Sequence, residues 1–157
     1  MTAIRSAPPL RARSVHAATG ALRARGHRVS TARRLVLESL YAAGGPVSAE
    51  QIASGLEGHL PASDLASVYR NLEVLERLGL VHHVHPGHGP GRYALAAREY
   101  LFCERCGALQ TAGSAQFDTV RDLVRDAFGY EASFTHFPLV GLCPSCRGGL
   151  ADHESAA

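Results

Sequence analysis

Apolar positions in the first ninety-odd residues follow helical spacing, then give way to short alternating runs. A first helix is expected over about 15–25, ending at Gly26, a residue suited to a left-handed C-cap. A second is expected over about 31–43, with Ala32, Val36, Leu40 and Ala43 on one face and Gly44-Gly45-Pro46 stopping it. Ser48 and Gln51 are spaced as a capping box, with Val47 and Ile52 placed as its hydrophobic staple. In that third helix Ile52, Ala53 and Leu56 would face the core. A fourth helix is expected over about 63–78, with Leu65, Val68, Leu72, Leu75 and Leu78 as its apolar stripe. Arg70, Glu73 and Arg77 lie opposite that stripe, Tyr69 sits at its flank, and Gly79 ends the helix. Two strand-like runs, 80–85 and 92–95, then flank the turn-rich sequence Pro86-Gly87-His88-Gly89-Pro90-Gly91.

The second to fourth helices, joined by short links and followed by a hairpin, make a winged helix-turn-helix, whose fourth helix would enter a major groove. After a hinge at 96–98 the pattern changes. Strands are expected at 100–103, 108–112 and 133–142, and a helix at 117–128 with Phe117, Val120, Leu123, Val124 and Phe128 apolar. Such a unit is small for independent stability, so its apolar strands are expected to pair with a second copy of the chain. The expected fold class is α+β. A winged-helix domain covers 15–95, a small α/β dimerisation and metal-binding domain covers 99–148, and flexible tails occupy 1–14 and 149–157.

The chain has 157 residues, 46% hydrophobic, with no apolar run of membrane-spanning length. Its start is Arg-rich but lacks the apolar stretch of a signal peptide. A cytosolic protein is therefore expected, in which cysteines stay reduced. The net charge of +2 hides an asymmetry: residues 1–37 carry eight arginines and no acid, whereas acids outnumber bases from Arg98 onward. A polyanionic partner is implied for the first part only.

All four cysteines lie in two Cys-x-x-Cys pairs, Cys103/Cys106 and Cys143/Cys146. Four thiolates in two close pairs suit a tetrahedral zinc ion in a closed, structural site. A catalytic zinc would need an open position. A thioredoxin-like redox role is weakened because two pairs are present and neither opens an evident helix after a strand. No nucleophile–base pair, phosphate loop or deaminase-type His-x-Glu is visible, so no enzymatic activity is expected. Four of nine histidines crowd into His82-His83-Val84-His85-Pro86-Gly87-His88. On a strand, His83 and His85 share a face, a bidentate start for a borderline divalent metal that His88 could close on.

Several segments resemble the Fur family of bacterial metal-responsive repressors: Leu22 to Ser30, Thr31-Ala32-Arg33, Val47-Ser48-Ala49-Glu50, Ser67-Val68-Tyr69-Arg70-Asn71-Leu72 and Cys103-x-x-Cys106-Gly107. The resemblance covers roughly residues 20–147. It implies a homodimer whose binding to a palindromic double-stranded DNA operator is favoured by metal. By position it implies Tyr69 and Arg70, with Ser67 beside them, in the major groove. Arg33 would lie on phosphate, and Arg23 or Arg25 in the minor groove. The family's histidine-rich stretch before the first cysteine pair is here Ala97-Arg98-Glu99-Tyr100, and Pro46 stands where a histidine is often found.

The usual sensing site therefore cannot assemble. The expectation drawn from these residues is a relocated regulatory site, with His83 and His85 sharing a metal with His136 or Glu99. Nickel or zinc suits such a nitrogen-rich site better than iron, and the wing histidines resemble those of the nickel-responsive branch. The other readings are a constitutive zinc-stabilised DNA binder and a peroxide sensor.

Overall fold

The computed structural model describes residues 9–148, so the first eight residues of the tail expected over 1–14, and the tail expected over 149–157, lie outside the described residues. The chain divides into two compact units. One runs to His83 and includes Tyr93–Ala96, and the other comprises Val84–Arg92 and everything from Ala97.

In the first unit the four regular helices each begin on a side-chain cap. Ser14 accepts from the amide of Ala17 to start α1 (Val15–Ala24), and Ser30 accepts from Arg33 to start α2 (Thr31–Ala43). Gly26 ends α1 with a Schellman pair, in which its amide bonds to the carbonyl of Arg23 and that of His27 to Leu22. After β1 (Val47–Ser48), the Ser48–Gln51 capping box opens α3 (Ala49–Ala53) as expected from sequence. This helix is short because Gly55 turns left-handed, and α4 (Gly55–Gly58) is only a kinked turn with Leu56 and Glu57 at positive φ. Leu56 therefore reaches the core from the turn and not from the helix, and it is only partly buried there. Asp64 accepts from the Ser67 amide to start α5 (Leu65–Arg77), the fourth helix of the sequence reading. Gly79 ends it with a second Schellman pair onto Glu76 and Leu75.

The core between these helices is closed. Leu22, Leu37, Leu72 and Leu75 are fully buried, with Val36, Leu40, Ile52, Val68 and Val81 beside them. Leu65, expected in the apolar stripe, is exposed in the first turn of α5. The wing is three-stranded, not a two-stranded hairpin, because β1 pairs with β3 (Arg92–Ala94), which in turn pairs with β2 (His82–Val84).

Residues 9–14 correct the expectation of a flexible tail over 1–14. The Leu10 amide bonds to the carbonyl of Leu78, the Tyr41 hydroxyl donates to Ala12, and Leu10 and Ala12 pack on the core. Pro9 lies against Gly79, where a Cβ would sit 2.5 Å from its ring, so the helix end and the N-terminal segment fit only with glycine there. Two prolines and isolated apolar residues carry no periodicity, which is why pattern reading passed over this docked segment.

The second unit is built on β4 (Tyr100–Cys103), central between antiparallel β5 (Leu109–Thr111) and parallel β6 (Leu139–Gly141). The register sets Tyr100 opposite Thr111 and Cys103 opposite Gly141. α6 (Ser114–Phe128) begins three residues before its expected start, where the Gln116 side chain accepts from the Gly113 amide. It buries Phe117, whose ring lies 5.1 Å from that of Phe134. The strand expected over 133–142 survives only at β6. Pro138 has no amide to donate, Phe134 turns to Phe117, and the His136 carbonyl accepts from His85 instead of from a neighbouring strand. Leu101, Leu123, Phe128, Tyr130, Phe137 and Val140 remain exposed, Phe128 by 74%.

Candidate metal centre and nucleic-acid interface

Parallel pairing of β4 with β6 brings the two cysteine pairs together. Cys103 ends β4 and is buried, and the chain then turns back through Gly107, at φ +72°, whose amide bonds to the Cys103 carbonyl. Cys143 follows β6 by two residues and donates its amide to Cys103 Sγ at 3.3 Å. Cys146 lies in the helical residues 144–148. The four Sγ atoms all lie within 4.8 Å of one another, with Cys106 and Cys143 at 3.9 Å. A tetrahedral zinc with Zn–S near 2.3 Å has S···S edges of about 3.8 Å.

The protonation chemistry also fits a cation. Amides of Cys106 and Cys143 pull the Cys103 thiol down to about 6. The neighbouring sulfurs, Cys143 first, push Cys146 up to about 12. One thiolate forms readily and makes the others harder to form, so four thiolates need a positive ion among them. The arrangement could hold zinc in a closed, four-sulfur shell that leaves no position for a substrate.

The histidines divide between the units. His83, in the first, stacks flat on Tyr93 at 4.6 Å between ring centroids, with its Nδ1 4.0 Å from Glu76. His85, in the second, donates its amide to the His136 carbonyl at 2.8 Å, and the two rings meet edge-on at 5.3 Å. His88 stands at the wing tip beside a cleft of about 590 Å³ that His85, Phe102 and Phe137 also line. Gly87 lies directly against the Phe102 ring, 2.8 Å from where its Cβ would be. Glu99 is bonded to Arg121, which also holds Asp118. Within the second unit, His85, His88, His136 and Glu99 are not gathered as a set of three ligands; among the described residues the cysteines are the one such group.

Of the residues expected at DNA, Tyr69 and Arg70 project from α5 and are exposed. Arg70 lies 4.0 Å from Asp64, an exposed pair worth little. Ser67 is half-buried, its amide on Asp64 and its carbonyl accepting from Asn71. Arg33 is partly committed within the protein: its Nε donates to Asn71 Oδ1 at 3.0 Å and its Nη1 to the Arg28 carbonyl at 2.6 Å. Arg23 is exposed in the last turn of α1, and Arg25 caps that helix. Two residues to which the sequence reading gave no role belong here. Buried Asn71 links Arg33 to the Ser67 carbonyl, and Glu50 of α3 accepts from the Tyr69 hydroxyl at 3.0 Å. An asparagine beside the apolar stripe of an amphipathic helix was the available signal for the first; for the second, membership of the Val47-Ser48-Ala49-Glu50 segment gave no sign of its partner.

No helix of the described residues is long and apolar enough to cross a membrane. The sequence profile of the Ferric uptake regulator family matches residues 24–136. The peroxide operon regulator of Bacillus subtilis is 28% identical over 127 residues, covering 80% of this chain and 88% of its own. The solved ferric uptake regulator of Helicobacter pylori superposes with a TM-score of 0.66 at 19% identity, covering 88% of this chain and 97% of its own. That of Pseudomonas aeruginosa, solved with manganese, superposes with a TM-score of 0.61 at 26% identity, covering 80% and 97%.

Proposed function

This chain belongs to the ferric uptake regulator family of metal-responsive transcription regulators, and we propose that it represses transcription in the cytosol by binding a palindromic operator as a homodimer. The first unit supplies the DNA-binding surface. Tyr69 and Arg70 reach into the major groove with Ser67 beside them, Arg33 offers its remaining Nη2 to a phosphate, and Arg23 or Arg25 enters the minor groove. The exposed apolar residues Leu101, Val140, Leu123 and Phe128 support self-association of the second unit. Cys103, Cys106, Cys143 and Cys146 hold a structural zinc.

A second divalent ion regulates DNA binding. The observation that carries this reading is the pairing of His85 with His136, two imidazoles from distant parts of the chain held by a backbone bond. His88, on the glycine-rich tip, is the nearest addition to that pair in sequence. Glu99 joins only if it leaves Arg121. Nitrogen donors favour nickel or zinc over iron. The metal need favour the DNA-binding form only slightly, since about 1.4 kcal/mol of differential affinity is a tenfold shift.

Elemental analysis of the purified protein in buffered zinc or nickel tests this. The expected result is two ions per chain, one of them lost in His85→Ala/His136→Ala with the zinc retained. One ion per chain under every condition would overturn the sensing site and leave a constitutive zinc-stabilised DNA binder. The likeness to a peroxide operon regulator favours a second reading, in which an iron-loaded histidine site is oxidised. Irreversible loss of DNA binding after peroxide, dependent on iron, would select it.

A further inference from the structure

Tyr69 and Glu50 face each other across the helix-turn-helix. Tyr69 lies in the second turn of α5 and Glu50 in the first turn of α3. The Tyr69 hydroxyl donates to Glu50 Oε1 at 3.0 Å, and both side chains are exposed. A phenol has one proton to give, and an ionised carboxylate can only accept. Glu50 stays ionised because its own backbone amide, then the Ser48 and Tyr69 hydroxyls, hold its carboxyl below the usual range. Its place in the first turn of α3 adds the helix N-terminus to that support. The carboxylate in turn raises Tyr69, keeping the phenol protonated.

We propose that Glu50 is a specificity-determining positioning residue that consumes the Tyr69 proton and so makes this hydroxyl an acceptor only. The proposal rests on the reading that α5 enters a major groove. There, the base groups able to donate are the N6 amine of adenine and the N4 amine of cytosine, whereas guanine O6 and N7 and thymine O4 only accept. Tyr69 would then select an exocyclic amine and disfavour a base that presents an oxygen. It would also be a poor phosphate ligand, since phosphate oxygens accept too. Glu50 itself adds a negative charge beside the DNA, so it weakens binding to every sequence while sharpening the choice at one position. A free tyrosine hydroxyl, by contrast, turns to donate or accept and discriminates less.

The test is selection from a randomised duplex pool with the full chain in buffered zinc, followed by affinity for the selected duplex with the amine deleted at single positions, purine replacing adenine or pyrimidin-2-one replacing cytosine. The wild-type protein is expected to show a position where amine deletion weakens binding about fivefold to tenfold, the size of one hydrogen bond. In Glu50→Ala that penalty should fall at least threefold while affinity for unrelated duplex rises. Tyr69→Phe should lose the penalty without that general rise. A merely structural Glu50 would weaken all duplexes alike and leave base preference intact, which overturns the proposal, as does an amine penalty unchanged in both variants. If these variants and Arg70→Ala alike leave all DNA binding unchanged, the major-groove reading fails, a result distinct from failure of the Glu50 role alone.

Discussion

The two units are stabilised by different means. The first closes a core of leucine, valine and isoleucine between α1, α2, α3, α5 and a small sheet, and most of its buried side chains are apolar. Among its described residues the second buries few large side chains, Phe117, Val84 and Tyr100, and leaves Leu101, Leu123, Phe128, Tyr130, Phe137 and Val140 in solvent. Burial alone can hold the first at about 25 cal/mol per Å² of apolar surface. The second lacks that area and instead brings four sulfurs together. The lesson is that composition alone does not identify which half of a chain folds by itself; the distribution of burial does.

The sharpest way to break this contrast is to remove the zinc. Binding to a four-cysteine site is worth about 10–16 kcal/mol and is coupled to folding. Chelation, or Cys103→Ser, is expected to unfold the second unit while amide signals of the first persist in a two-dimensional NMR spectrum. Loss of both sets together would show that the first unit does not stand alone. Next in size, Leu72→Ala should destabilise the first unit by about 2–5 kcal/mol in a denaturant titration, with the metal content of the cysteines unchanged. A charge on the exposed sheet face, Val140→Asp, should cost self-association about 2–4 kcal/mol if Val140 sits at the centre of the contact. Sedimentation would show the shift toward monomer, with no change in first-unit stability.

Smaller effects refine the first unit's role. Arg70→Ala is expected to cost about 1–3 kcal/mol of operator affinity if the side chain reads a guanine edge. A uniform loss across sequences with a flatter salt dependence would place it on phosphate instead. Asp64→Ala removes the N-cap of α5 and should cost about 1 kcal/mol, read as a lowered melting temperature of the first unit with unchanged metal binding.

Legibility from sequence followed the same division. Capping residues and glycine stops are local signals, so Ser48–Gln51, Gly26 and Gly79 marked their helix ends directly. The cysteine spacing likewise announced a four-sulfur cluster. Features that depend on long-range pairing stayed hidden. β1 is only two residues and has no pattern of its own, and parallel pairing of β4 with β6 is not written in either strand. The docking of Leu10 and Ala12 depends on a groove formed by later residues. For the histidines, periodicity joined His83 to His85 on one face, but the first meets Tyr93 and the second meets His136. A two-residue alternation says nothing about which neighbours each side chain finds.

The division of the wing has a consequence for how the chain can be cut. The backbone passes from one unit to the other at His83–Val84, at Arg92–Tyr93 and again at Ala96–Ala97. No single peptide bond is therefore a linker in the usual sense. A trypsin nick after Arg98 would yield an N-terminal fragment that still carries Val84–Arg92, bonded through His85 to His136 of the other fragment. The two pieces should co-elute under native conditions and separate only in denaturant, so limited proteolysis is a poor guide to domain boundaries in this molecule.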